Sequence, residues 1–142
     1  MDAWSGNSIV QAALAEASDA LGQDLAALIA QGPAEDLKLT TNTQPVMLSA
    51  SVAVYRAWRD AGGPVPHLVA GHSLGEYSAL TAVNALTLAD AVRLVRVRAD
   101  AMQAAVPVGS GGMAAILGLD DDQVRRLCAE SAQGEIVEAV NY

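Results

Sequence analysis

The residues best suited to chemistry are Gly71-His72-Ser73-Leu74-Gly75, a G-x-S-x-G sequence. A short apolar run precedes it, and a helical pattern follows from Glu76 to about Leu86. This order of strand, sharp turn and helix is the setting in which the pentapeptide forms a nucleophile elbow, a turn that exposes a serine hydroxyl at the edge of a sheet. A serine held in this way can attack an acyl group. We therefore predict that Ser73 is the catalytic nucleophile.

The predicted elbow places demands on the residues around the serine. The backbone of Ser73 is expected to be strained. Gly71 and Gly75 are expected to let strand and helix approach closely, because they lack a Cβ. The backbone N–H of Leu74 falls at the helix N-terminus, where it would point at a developing oxyanion. The alternative is a glycine-rich turn that carries a serine by chance.

A base that could activate the serine is missing from the expected place. Histidine usually takes the hydroxyl proton, and in this kind of fold it follows the nucleophile in the chain. The two histidines, His67 and His72, both precede Ser73. His72 is its neighbour on a sharp turn and points elsewhere, and His67 lies about six residues away along a strand, which is too far at about 3.3 Å per residue. We interpret both as structural, so either the elbow is a decoy or the chain is a fragment.

The elements that must position Ser73 are mostly helices. Apolar spacing and capping residues predict four main helices, one ended by Gly22 and one capped by Thr87: 8–21, 25–29, 46–61 and 88–105. The third is apolar on most sides, which predicts that it is buried against a sheet. A shorter helix to about Ala132 starts at 120, with Cys128 on its inward stripe. Short apolar runs predict three strands: 68–70, 113–119 and 136–140.

Composition limits the class of protein. Apolar residues form 52% of the 142 residues, which is ample for a core, and the net charge is −8. So acidic a chain argues against binding to nucleic acid, which favours clustered Lys and Arg. Cys128 is the one cysteine, so no internal disulfide forms, and no paired Cys or His spacing predicts a metal. With no secretory signal and no long apolar run, we expect a cytoplasmic protein without membrane contact.

Several blocks of sequence resemble the malonyl-CoA:acyl carrier protein transacylases of fatty acid synthesis. The resemblance begins at the elbow and runs across nearly the whole chain in the right order, which is far more specific than a pentapeptide. The blocks are Gly71-His72-Ser73-Leu74-Gly75-Glu76-Tyr77-Ser78-Ala79-Leu80, Gly32-Pro33-Ala34-Glu35-Asp36-Leu37, Thr43-Gln44-Pro45, Ala89-Asp90-Ala91-Val92-Arg93-Leu94-Val95 and Gly111-Gly112-Met113-Ala114-Ala115-Ile116-Leu117-Gly118-Leu119.

The resemblance implies a fold. It implies an α/β-hydrolase-like parallel sheet core with the beginning of a ferredoxin-like α+β small subdomain, truncated at both ends. On this basis residues 1–110 belong to the large subdomain and residues 111–142 form the first half of the small one. Pro107 to Gly112 is interpreted as a glycine-rich hinge between them.

The resemblance also implies an activity. The serine matching Ser73 accepts a malonyl group from malonyl-CoA as an ester and passes it to the phosphopantetheine thiol of acyl carrier protein, with no further cofactor. The family's arginine that pairs with the malonyl carboxylate falls on Arg98, and a guanidinium fork suits a carboxylate. Arg93 and Arg96 are interpreted as ordinary surface residues. Family members are mostly monomeric.

The sequence departs from the family's pattern in ways that matter for activity. The family's catalytic histidine lies beyond residue 142, and its oxyanion glutamine lies in an opening loop that no stretch here matches. Gln11 and Gln44 lie in other contexts. We therefore expect the isolated piece to be inactive. Two other functions stay open: a serine esterase of the α/β-hydrolase type, for which Arg98 has no purpose, and a non-catalytic remnant that binds a carrier protein.

Overall fold

The computed structural model describes residues 1–107 and 109–142 and divides the chain into two units, Met1–Val108 and Gly109–Tyr142. This division lies beside the predicted one between residues 110 and 111. Val108, within the predicted hinge, lies outside the described residues. The assignment of residues 1–110 and 111–142 to a large and a small subdomain of a longer protein remains a prediction.

Seven α-helices form the regular structure of the described residues, after a 3-10 turn at Asp2–Trp4. They are α1 (Ser8–Leu21), α2 (Leu25–Gln31), α3 (Ala34–Lys38), α4 (Thr40–Asp60), α5 (Leu74–Ala82), α6 (Leu88–Ala105) and α7 (Asp121–Ala132). The first six belong to the first unit and α7 belongs to the second. Within the described ranges, none of these helices combines the length and the apolar character that crossing a membrane requires.

Local capping chemistry sets the ends of the main helices. The side chain of Asn7 accepts hydrogen bonds from two N–H groups in the first turn of α1, at 3.0 and 3.1 Å, which satisfies donors that have no partner inside the helix. The predicted end of α1 at Gly22 is confirmed, since this residue has the left-handed φ of 66° that glycine adopts without strain. The predicted cap of α6 is confirmed as well, because the Thr87 hydroxyl accepts from the Asp90 N–H at 3.0 Å.

The core of the first unit lies between α1, α4 and α6. Each helix contributes a face whose buried residues recur at spacings of three and four, the period of a helix. These residues are Val10, Ala13, Leu14 and Ala17 on α1, Leu48, Val52, Ala53 and Ala57 on α4, and Leu88, Ala91, Val92, Val95 and Ala99 on α6. Many of them are alanine, so the helices can approach closely where they cross.

The predicted parallel sheet core is wrong for this chain, because the described residues contain no strand. The runs predicted as strands at 68–70, 113–119 and 136–140 are irregular, and Leu68 and Leu117 are 90% and 89% exposed. A strand is stable when a neighbour pairs with its backbone N–H and C=O groups. No such neighbour lies beside these runs within the described ranges, and the core of the first unit is formed by helices instead.

The predicted beginning of a ferredoxin-like subdomain is wrong for the same reason. In residues 109–142, α7 is the regular element that the structure describes. It begins with a capping box between Asp120 and Gln123, a motif that satisfies two N–H groups reciprocally. No residue of α7 is buried, so the predicted inward stripe with Cys128 does not form a core. The Arg125 Nε donates to the Tyr142 hydroxyl at 3.1 Å.

Helix α4 differs from its prediction in two ways: it begins earlier in the chain, and it is less buried. It begins at Thr40, so Pro45 lies inside it. Pro45 is the sixth residue of the helix, beyond the first turn, so it costs one intrahelical hydrogen bond, to the carbonyl of residue 41, and the helix nevertheless continues past it. The helix is not buried on most sides, since Met47 is 52% exposed. One face of α4 packs against α1 and α6, and no sheet covers the other face in the described residues.

Removing a core side chain from α4 should destabilise the first unit. Leu48 is fully buried, so Leu48→Ala leaves a cavity and is expected to lower the free energy of unfolding by about 2–5 kcal/mol. Met47→Ala on the exposed face is the matched control and should change it by less than about 1 kcal/mol. Urea unfolding followed by circular dichroism measures both, and equal losses would contradict this packing.

Candidate active site

The backbone of Ser73 has the strained conformation that the elbow requires. Its φ and ψ are 54° and −113°, a region that non-glycine residues adopt at a cost of about 1–3 kcal/mol. Ser73 occupies the N-cap position of α5, but its side chain makes no capping hydrogen bond. Ser73 is exposed, and its hydroxyl is available for other contacts.

The two glycines of the motif have different roles. A Cβ at Gly71 would lie 1.9 Å from the carbonyl carbon and oxygen of Gly75 and 2.3 Å from the N–H nitrogen of Glu76. The backbone before the serine therefore passes directly against the first turn of α5, which only a glycine permits. A Cβ at Gly75 would meet no atom within 4 Å. The prediction of a required glycine holds for Gly71 and is wrong for Gly75.

Arg98 reaches Ser73 across the fold. It lies on α6, 25 residues further along the chain, and its Nη2 donates a hydrogen bond to the Ser73 Oγ at 2.7 Å. The side chain is half-buried. The structure thus brings together the two side chains that the sequence singled out. Their catalytic and substrate-binding roles remain predictions.

Gln44 is a third residue at this place, although its sequence context predicts no role in the site. It lies on α4 and is 6% exposed. Its side-chain oxygen accepts a hydrogen bond from the Arg98 Nη1, and its nitrogen lies 3.3 Å from the Met102 Sδ. A polar residue beside Pro45 at a helix start gave no signal of this contact, because 54 residues separate Gln44 from Arg98.

Leu74 lies where the motif predicted it, as the first residue of α5. Its backbone N–H is one of the N-terminal groups that have no carbonyl partner within a helix. The positive end of the helix dipole favours negative charge at this point. The arrangement suits a developing oxyanion, and this role of Leu74 stays a prediction.

The other residues considered in the sequence are the two histidines and two further arginines. His67 and His72 are exposed on the segment that leads to Ser73, and their interpretation as structural stays a prediction. Arg93 is exposed and donates to the carbonyl of Ala20 at 3.1 Å. Arg96 is not an ordinary surface residue, because it is half-buried and donates to Gln23. Among the described residues, no cluster of His, Cys, Asp or Glu is placed to hold a metal ion.

Comparison with known families shows the class of this protein. The model of the acyl transferase domain matches residues 5–140. The chain therefore belongs to the acyl transferase domain family.

Particular relatives carry a more specific name. The malonyl CoA-acyl carrier protein transacylase of Salmonella typhimurium is 57% identical over 134 residues, covering 94% of this chain and 43% of the relative. The protein of the same name from Escherichia coli K12 is 56% identical with the same coverage. The chain thus spans less than half the length of these relatives.

Solved structures agree with this comparison. The crystal structure of an acyl-carrier-protein S-malonyltransferase from Burkholderia pseudomallei superposes with a TM-score of 0.91 at 63% identity, over 100% of this chain and 46% of that one. A malonyl-transacylase solved in complex with its type II PKS acyl-carrier protein gives 0.86 at 50% identity, over 95% and 44%. This chain is therefore similar in fold to the matched parts of these two proteins.

The different roles of Gly71 and Gly75 can be tested by measuring the stability of alanine variants. Gly71→Ala forces a Cβ into the backbone of α5 and is expected to lower the free energy of unfolding by about 1–3 kcal/mol or more. Gly75→Ala is the control and should change it by no more than about 0.5 kcal/mol. Urea titrations of both variants make the comparison. If Gly71→Ala is as stable as the unsubstituted protein, the described close approach is wrong.

Proposed function

We propose that this chain carries the nucleophile and the carboxylate-binding residue of a malonyltransferase. The protein would move a malonyl group from malonyl-CoA to the phosphopantetheine thiol of acyl carrier protein, in fatty acid biosynthesis. The observation that carries the proposal is the 2.7 Å hydrogen bond between the Arg98 guanidinium and the Ser73 hydroxyl. The names of the relatives support the same substrates.

The contact favours an acyl group that itself ends in a carboxylate. In a malonyl ester of Ser73, one methylene separates the ester carbonyl from the free carboxylate. A guanidinium already within hydrogen-bond distance of the serine oxygen can therefore reach that carboxylate with a small movement. Arginine suits this task because it is always charged and presents two parallel N–H groups to the two oxygens. A simple esterase has no use for such a group.

The proposed chemistry proceeds in two half-reactions. The Ser73 Oγ attacks the thioester carbonyl of malonyl-CoA, the Oγ–C bond forms and the C–S bond breaks, and the hydroxyl proton leaves with the coenzyme A thiol. The Leu74 N–H stabilises the oxyanion between these steps. The phosphopantetheine thiol sulfur then attacks the ester carbonyl, so that the S–C bond forms and the Oγ–C bond breaks. The thiol proton passes to the Ser73 Oγ and restores the hydroxyl. Neither His67 nor His72 is assigned as the base that carries this proton.

The proposed partner is acyl carrier protein. A similar transacylase has been solved in complex with its own acyl-carrier protein, which supports this choice. The net charge of −8 gives no general attraction for an acidic partner, so docking would depend on a local cluster of positive charge.

The nucleophile is tested by Ser73→Ala in the protein as isolated from its own cells. Malonyl-CoA should add one malonyl group to the unsubstituted protein, seen as an increase in intact mass, and none to the variant, because no other hydroxyl replaces the lost one. Ser78→Ala, on the same helix, is the control. A variant that is loaded normally would contradict the role of Ser73.

The carboxylate-binding role is tested by Arg98→Ala. Loss of a hydrogen-bonded charge pair is expected to lower the rate of loading from malonyl-CoA about 10- to 100-fold relative to loading from acetyl-CoA, which has no carboxylate. Arg93→Ala on the same helix should leave this ratio unchanged. An Arg98→Ala protein that keeps its malonyl preference, or that hydrolyses simple esters as fast as the unsubstituted protein, would instead favour an esterase.

A further inference from the structure

The buried amide of Gln44 has an orientation that its surroundings determine. A guanidinium offers N–H donors and no acceptor, so the amide atom that faces Arg98 must be the oxygen. The amide nitrogen then faces the Met102 Sδ at 3.3 Å, which is a weak acceptor. Arg98 and Met102 lie four residues apart and therefore on the same face of α6. Gln44 thus contacts α6 through both ends of its amide.

The backbone that carries the Gln44 side chain is restrained by burial and by a hydrogen bond. The residues that follow Gln44 on α4, from Pro45 to Val46, are buried, and the Ser49 hydroxyl donates to the Pro45 carbonyl at 2.7 Å. A buried amide without hydrogen bonds would cost stability. The guanidinium of Arg98 supplies the charged partner, so the two side chains fix each other.

The two ends of the guanidinium have different partners. Its Nη1 donates to Gln44 and its Nη2 donates to Ser73. Because the group is planar and rigid, fixing Nη1 determines the direction of Nη2. A free arginine side chain would sample many rotamers, and few of them would place an N–H at the serine.

We propose that Gln44 is a positioning residue that aims the Arg98 guanidinium at the acyl group on Ser73 and so sets the preference for acyl groups that carry a carboxylate. The inference rests on the proposed malonyltransferase function. Gln44 itself does not touch the acyl group. It raises the fraction of Arg98 that is ready to bind, and the apparent affinity for the malonyl group changes in proportion to that fraction.

The test uses Gln44→Met, which keeps the length of the side chain and removes the acceptor. In the protein as isolated from its own cells, the KM for malonyl-CoA in the loading reaction should rise about tenfold, the effect expected of a lost hydrogen bond to a charged group, with kcat nearly unchanged. Loading from acetyl-CoA should not change, because a neutral acyl group does not use the guanidinium. A purely structural role would lower both reactions together.

Gln23→Met is a matched control. Gln23 also accepts a hydrogen bond from an arginine of α6, Arg96, but that arginine does not contact Ser73. The same chemical change should therefore leave the ratio of malonyl to acetyl loading unaltered. A loss of malonyl preference in Gln23→Met equal to that in Gln44→Met would overturn the inference.

A second readout does not depend on any activity. In the unsubstituted protein the contact with Gln44 should slow rotation of the Arg98 guanidinium, which separates its Nη signals in 15N NMR spectra. Gln44→Met should merge these signals, and Gln44→Glu, which keeps an acceptor oxygen, should restore the separation. Merged signals in the unsubstituted protein would overturn the inference even if malonyl loading proceeds. Failure of malonyl loading alone would count against the proposed function.

Gln44→Glu also covers the case in which Gln44→Met fails to fold. Its carboxylate would neutralise the guanidinium and repel the malonyl carboxylate, so malonyl preference should fall although Arg98 stays oriented. In the Arg98→Ala background neither substitution should change malonyl preference further, as expected for residues that act through one another. Additive effects in the double variants, Gln44→Glu with Arg98→Ala included, would overturn the inference.

Discussion

The strained backbone of Ser73 is the constraint on which the site depends. A φ of 54° is unfavourable for serine, so the surrounding structure must stabilise it. Gly71 allows the preceding segment to lie against the first turn of α5, and α5 packs on α4 and α6. The hydroxyl is thereby turned away from a capping role and towards Arg98. Without this constraint the serine would be an ordinary N-cap residue.

The helical core fixes the positions of the side chains that meet at Ser73. Arg98 lies on α6 between Val95 and Ala99, which are both fully buried, so its backbone is part of the best-packed region of the unit. Gln44 projects from α4, the helix that packs against α6. The two polar side chains that meet beside Ser73 therefore come from rigid elements. In many enzymes, likewise, tightly packed helices or strands position a few polar groups.

Local features of the structure could be predicted from the sequence, and tertiary pairing could not. The bounds of α6 followed from the Thr87 cap and the apolar spacing, and the end of α1 followed from Gly22. The elbow followed from a motif with a known mechanical basis. The parallel sheet core was implied by the family resemblance, and the individual strands were predicted from short apolar runs. A strand depends on pairing with distant residues, and the runs at 68–70 and 113–119 are irregular in the described residues.

The sequence also predicted only part of the candidate site, because local motifs can be recognised in a sequence and tertiary contacts cannot. Ser73 belongs to a local motif, and Arg98 was found through resemblance to a family. Nothing local distinguishes Gln44 from other helical glutamines such as Gln11, which is exposed and donates to a nearby carbonyl of Ser5 at 2.6 Å. Its contact with Arg98 arises from the way α4 crosses α6. Spacing along the chain carries no information about such a contact.

The central claim is that the Arg98 guanidinium, which donates to the Ser73 hydroxyl, donates instead to the carboxylate of the acyl group once Ser73 is loaded. A crystal structure of the protein after reaction with malonyl-CoA would test this claim most directly. The account predicts a malonyl ester on Ser73 whose free carboxylate lies within hydrogen-bond distance of the Arg98 guanidinium, while Nη1 keeps its contact with Gln44. A carboxylate directed into solvent, or an ester on another residue, would contradict it.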